Sequence, residues 1–167
     1  DLDRLLAHPE LVINCGSSSV KFALFTDEDP PTRLWAGALE RIGLADGRFR
    51  AIDENGITVV DETRAIPDHA QALSMLLDMF AVHRPGVSPV AVGHRVVHGG
   101  ADCDCPLPVD KALLTRLQQL VPLAPLHLPH NLAGITAVQR VRPDLPQIAC
   151  FDTAFHHGLP RLARLTG

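Results

Sequence analysis

No stretch of this chain carries a run of lysine and arginine, and the formal net charge is −4 with a pI near 6.1. Lacking a basic patch, it has no means of neutralising many phosphates at once, which argues against nucleic acid or an anionic membrane surface as its main partner. Long apolar runs are missing too. None approaches the roughly 18–20 residues of a membrane span, and residues 1–10 lack the basic-then-apolar profile of a secretion signal. Its four cysteines, Cys15, Cys103, Cys105 and Cys150, form no Cys-x-x-Cys pair. Neither a disulfide scaffold nor a zinc knuckle is indicated, and they read as free thiols of a cytoplasmic protein. There is no internal repeat and no low-complexity segment. The chain starts at Asp1 rather than Met and stops at Gly167 without a recognisable terminal element, so it is expected to be a piece of something longer.

What is present suits one folded domain. The 167 residues are 46% hydrophobic with a mean hydropathy near zero, enough for a single sizeable core. The chain is organised around Leu11 to Phe25, where two β-prone apolar runs flank a Gly-Ser turn and lead to a lysine. Gly16 lets backbone approach a ligand closely, Ser17, Ser18 and Ser19 offer hydroxyls, and Lys21 offers a compact positive charge. That inventory suits phosphate. It is not a P-loop, because no Gly-Lys-Ser/Thr opens a helix and the residues after Lys21 read as strand. The alternative, an ordinary hairpin whose glycine and serines are turn chemistry, stays open on this stretch alone.

The next residues continue as a meander. Arg33 to Ile42 alternates as a third strand, and Arg48 to Asp53 and Ile57 to Asp61 flank an Asn55-Gly56 hairpin signal. The period then changes to helical: Asp68 caps apolar residues at Ala70, Leu73, Leu76, Leu77 and Phe80, a helix running to about His83. Val90 to Val92 reads as a buried strand entering His94 to Gly100. A second helix is predicted from Asp110 to about Val121, and a third, capped by Asn131, to about Arg142. Gln147 to Phe151 is a strand delivering Asp152 at its carboxyl end. A meander followed by helix–strand alternation predicts an α/β fold with a mixed sheet covered by helices. Ligands of open α/β sheets bind at the carboxyl ends of strands, where Asn14, Arg95 and Asp152 all fall.

Four motifs, Asn14-Cys15-Gly16-Ser17-Ser18-Ser19-Val20-Lys21, His94-Arg95-Val96-Val97-His98-Gly99-Gly100, Leu123-Ala124-Pro125-Leu126-His127 with Asn131-Leu132, and Phe151-Asp152-Thr153-Ala154-Phe155-His156, resemble the acetate/propionate kinase family in order and spacing. The resemblance implies an actin-like (sugar kinase, Hsp70, actin) ATPase domain, the first of two in that family. Residues 1–10 would be an amino-terminal extension and 11–167 the amino-terminal domain, the second domain being absent from this chain. The implied reaction is ATP plus acetate giving ADP plus acetyl phosphate, with ATP as co-substrate and Mg²⁺ as cofactor. The implied partners are small molecules and, for a full-length protein, a second copy in a homodimer.

By the same resemblance, Arg95 and Asp152 are the catalytic residues and Arg95 also binds the substrate carboxylate. Asn14 holds the magnesium environment, Ser17, Ser19, Lys21 and His127 face the nucleotide phosphates, and Val97 and Leu126 wall a pocket for the substrate methyl. Read without the family, Arg95 is equally an ion-pair partner, Val97 and Leu126 are core residues, and His127 is a loop histidine. A carboxylate acceptor is already deprotonated at neutral pH, so Asp152 is expected to align Mg²⁺ or its water rather than to act as a base. Leu128 and His130 depart from the family's loop pattern. The family's second domain, with its adenine site and further catalytic groups, has no counterpart here, so the chain alone is expected to be inactive. Two rival readings are a non-catalytic actin-like nucleotide-binding or assembly module, and a metal-dependent hydrolase built on some of the nine histidines with Asp102, Asp104 and Asp152. Against the latter, His94 and His98 lie in a strand-like stretch rather than a His-Glu-x-x-His helix.

Overall fold

The computed structural model describes residues 8–100, 103 and 105–152. Most of residues 1–10, Asp102, Asp104 and the motif segment after Asp152 lie outside the described residues.

Among the described residues eight strands form one sheet: β1 (Glu10–Cys15), β2 (Ser19–Phe25), β3 (Arg33–Glu40), β4 (Arg48–Asp53), β5 (Thr58–Thr63), β6 (Ala91–Val96), β7 (Leu107–Pro108) and β8 (Gln147–Phe151). Their spatial order is β5-β4-β3-β2-β1-β6-β8-β7. The first five are an antiparallel meander, as short turns such as Glu54-Asn55-Gly56 require. β6 and β8 run parallel to β1, because a helix carries the chain back to the same sheet edge before each of them. The sheet is therefore mixed. β7, too short to leave a periodic signal, closes the far edge antiparallel to β8.

Among the described residues three α-helices follow the meander: α1 (His69–His83), α2 (Lys111–Leu120) and α3 (Leu128–Val141). α1 starts where the sequence predicts, with the Asp68 carboxylate accepting from the Gln71 N–H at 2.8 Å, and Asp110 caps α2 through the Leu113 N–H at 2.7 Å. α2 ends at Leu120, and Val121–Leu123 tightens into a 3₁₀ turn around Pro122.

Asn131 does not cap the third helix. α3 begins one turn earlier at Leu128, with Pro129 inside its first turn, where a missing N–H is harmless. The expected capping asparagine is buried within the helix, and its amide is used elsewhere. Leu128, a departure from the family pattern, is fully buried and anchors this helix start in the core.

Pairing register fixes which side chains share a face. Leu11, Ile13 and Cys15 of β1 project with Val20, Phe22 and Leu24 of β2, Val92, His94 and Val96 of β6, and Ala149 and Phe151 of β8. All are buried, and this face carries the helices. α1 lays Leu73, Leu76 and Phe80 on the meander, where Phe80 stacks on Trp35 at 5.2 Å. α2 and the first half of α3 cover β6 and β8 through Leu113, Leu117, Leu128 and Ile135. Asn14, Lys21 and Arg95 take the opposite parity and project from the other face.

Candidate functional site

The site is built where β1, β6 and β8 end. The Gly-Ser hairpin begins as β1 turns back at Gly16, whose N–H donates to the Ser19 carbonyl at 2.9 Å. Two outside groups hold the turn. The Ile42 N–H donates to the Ser18 carbonyl at 2.9 Å, and His69 Nε2 bonds the Gly16 carbonyl at 2.9 Å. A β-carbon at Gly16 would lie 2.9 Å from Ser19 Oγ, a contact that the serine side chain would have to turn away to relieve.

α3 supplies the neighbouring wall. Gly134 lets the helix settle directly on β1: a β-carbon there would meet Cys15 Sγ at 2.4 Å. One turn earlier, Asn131 reaches both strand ends, its Nδ2 donating to the Cys15 carbonyl and its Oδ1 accepting from the Val97 N–H, each at 3.2 Å. A single buried amide thus ties the ends of β1 and β6 to the helix. The sequence offered Asn131 as a cap, and no pattern in it showed this bridging role.

Between these elements lies a cleft of about 420 Å³. Of the residues singled out from the sequence, Asn14, Ser17, Ser19, Arg95, Val97, Leu126 and His127 all line it, joined by His130 and Asn131. Seven positions drawn from three separated motifs therefore meet in one place. Lys21 is not a wall of the cleft. It pairs with Asn14 across the hairpin and stands exposed on the same sheet face. Asp152, one residue beyond β8, is also outside the lining but touches it through Arg95. Leu126 is 76% exposed, so it forms the open lip of the cleft rather than an enclosed wall.

Arg95 and Asp152 make a fork-on-carboxylate pair, Nε to Oδ1 at 2.9 Å and an Nη to Oδ2 at 3.1 Å. The parallel register that sets Arg95 beside Cys150 places Asp152 within the guanidinium's reach two residues further on. The hydrogen bond to Asp152 raises the pKa of Arg95 further above its ordinary value, so its charge is permanent. Arg95 keeps 42% of its side-chain surface exposed, leaving donors that face the cleft.

The first N–H groups of α3 are already engaged. Leu128 donates to Ala124, and His130 and Asn131 donate to His127, while Pro129 has none. Positive charge in the cleft lining therefore comes from Arg95, with the hairpin beside it and the His127 and His130 rings as further polar walls. The Ser17 and Ser18 N–H groups donate to no other group among the described residues. Cys15 lines the cleft as well, but burial pushes its thiol up to about 12, so it is no nucleophile.

Among the described residues no three histidines, cysteines or acidic groups are placed to hold a metal. His69 is committed to the Gly16 carbonyl, His94 to Gln147 and His98 to the Gly100 N–H.

The mixed sheet, its helices and this hairpin-edged cleft define an α/β domain of the actin-like ATPase type. The sequence profile of the Acetokinase family matches residues 10–167, and the chain belongs to that family. It is 45% identical to an acetate kinase of Syntrophobacter fumaroxidans over 93% of its own length and 39% of the relative's. An acetate kinase of Streptomyces griseus is 43% identical over the same shares. The crystal structure of Porphyromonas gingivalis acetate kinase superposes with a TM-score of 0.82 at 33% identity, covering 92% of this chain and 39% of that one. A propionate kinase from Francisella tularensis gives 0.78 at 35% identity, again covering 92% and 39%. The chain thus spans about two-fifths of the length of these relatives.

Proposed function

We propose that this chain is the amino-terminal domain, residues 11–167 after a short extension, of a phosphotransferase that moves the γ-phosphoryl of ATP to acetate or another short-chain carboxylate. One observation carries the reading: a carboxylate-recognising guanidinium, Arg95, shares one cleft with the Gly-Ser hairpin and with the small apolar pair Val97 and Leu126. Phosphoryl transfer asks the protein mainly to position reactants and neutralise charge, and these residues are of the kinds that do so.

In this reading Arg95 takes one end of the substrate carboxylate while Asp152 holds the guanidinium in plane. Val97 and Leu126 bound the space left for the acyl chain. Ser17, Ser19 and the hairpin N–H groups face the nucleotide phosphates, with His127 on the opposite side, and Lys21 adds charge from the outer sheet face. No residue has to remove a proton, since a carboxylate with a pKa of about 4 is ionised at neutral pH.

The donor set fits a magnesium ion carried on nucleotide phosphates rather than caged by protein: Mg²⁺ keeps several waters and takes only one or two protein oxygens. Asn14 and Asp152 are the oxygen donors at this edge. When bound, the ion would neutralise charge on the transferring group. A full-length protein would pair as a homodimer through its other domain, as the family resemblance implies.

Steady-state kinetics on the full-length enzyme test the reading. Arg95→Ala is expected to lose at least about a hundredfold in kcat/KM for the carboxylate, equivalent to losing a charge-assisted pair of roughly 3 kcal/mol, with Arg95→Lys restoring only part because it lacks the fork. Near-normal efficiency in the alanine variant would remove Arg95 as the substrate's partner and the reading with it.

A further inference from the structure

The Gly16–Ser17 peptide has a feature that the cleft's lining alone does not explain. In a planar trans peptide the carbonyl and the following N–H point to opposite sides. The Gly16 carbonyl accepts a hydrogen bond at 2.9 Å from Nε2 of His69, 53 residues away in sequence. A carbonyl can only accept, so Nε2 carries the proton. Among the described residues Gly16 and Ser17 line the cleft and His69 does not. The carbonyl's partner thus lies outside the lining of the cleft, and the Ser17 N–H points to the side opposite that partner. That N–H donates to no described group.

Nothing about α1 itself calls for a histidine at this position. Asp68 already caps the helix, and a side chain that can become cationic gains nothing from the positive end of the helix dipole. The preceding peptide is held independently, by Asn131 on the Cys15 carbonyl and by the Gly16 N–H on Ser19. The hairpin tip is thus gripped by two helices, α3 through Asn131 and α1 through His69. Each grip sets one peptide plane.

We propose that His69 is a positioning residue: by holding the Gly16 carbonyl it aims the Ser17 N–H into the cleft as a hydrogen-bond donor to a phosphate oxygen of the nucleotide. This rests on the reading of the hairpin as the nucleotide-phosphate site. His69 touches no reactant, and its effect passes through one peptide plane.

The test uses the chain as it stands, ¹⁵N-labelled, titrated with inorganic pyrophosphate and followed by amide resonances. Three substitutions separate geometry from bulk. His69→Gln can place an amide N–H close to the position of Nε2, His69→Asn is polar but too short to reach, and His69→Leu removes the donor.

In the parent chain the Ser17 amide is expected to move on titration. In His69→Asn and His69→Leu that movement is lost and pyrophosphate binds roughly three- to tenfold more weakly, the range for one lost hydrogen bond. His69→Gln recovers both. Cleft resonances of Arg95 and His127 continue to respond in all forms, a pattern that general loosening of the fold would not produce. Should His69→Leu lose its spectral dispersion, the glutamine and asparagine forms still decide.

Equal Ser17 movement in the parent and the asparagine form would overturn the role of His69 while leaving the proposed function standing. A parent chain in which Arg95 and His127 respond but Ser17 does not would overturn it in the same way. No response anywhere along the hairpin or cleft would overturn both.

Discussion

His94 is 2% exposed in the middle of β6, its ring Nε2 2.6 Å from Gln147 Oε1 across the parallel pair with β8. Burial pushes its pKa down from 6.5 to about 4, although the glutamine bond partly opposes the shift. Above pH 6.5 the imidazole is neutral in both folded and unfolded chains, so it adds no pH dependence. Between about 6.5 and 4 the unfolded chain takes up the proton and the folded one does not, and stability falls as pH falls. Below about 4 both are protonated and the loss is complete, on the order of 3 kcal/mol. Urea unfolding midpoints at pH 7.5, 6, 5 and 4.5 are expected to decline for the parent chain and to decline less for His94→Gln. Parallel profiles would show that His94 is not the group responsible. The residue next to it has the opposite character: Arg95, half-open to the cleft and locked on Asp152, stays charged at every accessible pH.

At the scale of the element, α3 matters most, because its second turn sets how closely the helix approaches β1 and therefore whether Asn131 can reach Cys15 and Val97. Gly134 is the contact point. Alanine there gains about 1 kcal/mol of helix propensity, yet it must push Cys15 Sγ aside in a closely packed core, which costs about 1–3 kcal/mol. The expected outcome for Gly134→Ala is a net loss of about 1 kcal/mol in urea unfolding, with part of it recovered when Cys15→Ala removes the sulfur. A Gly134→Ala chain as stable as its parent, or a double mutant with no coupling, would show that the helix has room to spare. The same approach sites His127 and His130 on the cleft, so a shifted α3 also displaces two of its polar walls.

For the whole molecule, the polar groups of the cleft come from one sheet edge and one helix, and Leu126 and Ser17 remain exposed. Phosphoryl-transfer sites close around the reacting group to exclude water and complete the charge clamp. Under the proposed function, the described residues supply Arg95, Asp152 and the hairpin as one wall and place no opposing surface against the nucleotide base or the transferring phosphoryl. The chain of 167 residues is therefore expected to fold, since its helices and sheet fill one core, but not to form acetyl phosphate from ATP and acetate. A coupled ADP-release assay beside a calorimetric ATP titration checks this. Sustained turnover, or micromolar ATP affinity, would mean that the described wall is sufficient by itself.

Periodicity and capping residues sufficed to locate the meander, the Asn55-Gly56 hairpin, α1 behind Asp68, α2 behind Asp110 and the last strand, because those signals are local: alternation, a 3.6-residue stripe and a carboxylate three residues before the N–H it accepts. Three of the four motifs also carry Asn14, Ser17, Ser19, Arg95, Val97, Leu126 and His127, and the fold gathers those seven around one cleft. Tertiary structure alone decided the rest. Asn131 looked like a cap because asparagine caps helices, yet Pro129 permits an earlier start and the buried amide is needed by two strand ends that lie 116 and 34 residues away. Lys21 shares the sheet face of Asn14 but stands two residues further along β2 from the turn than Ser19, beside the cleft rather than in its wall. The Arg95–Asp152 fork and the His69 grip on Gly16 join residues 57 and 53 apart. No local pattern encodes a hydrogen bond between elements that meet only when the sheet closes, and that is why the sequence determined the elements and the inventory of the site while its geometry belonged to the fold.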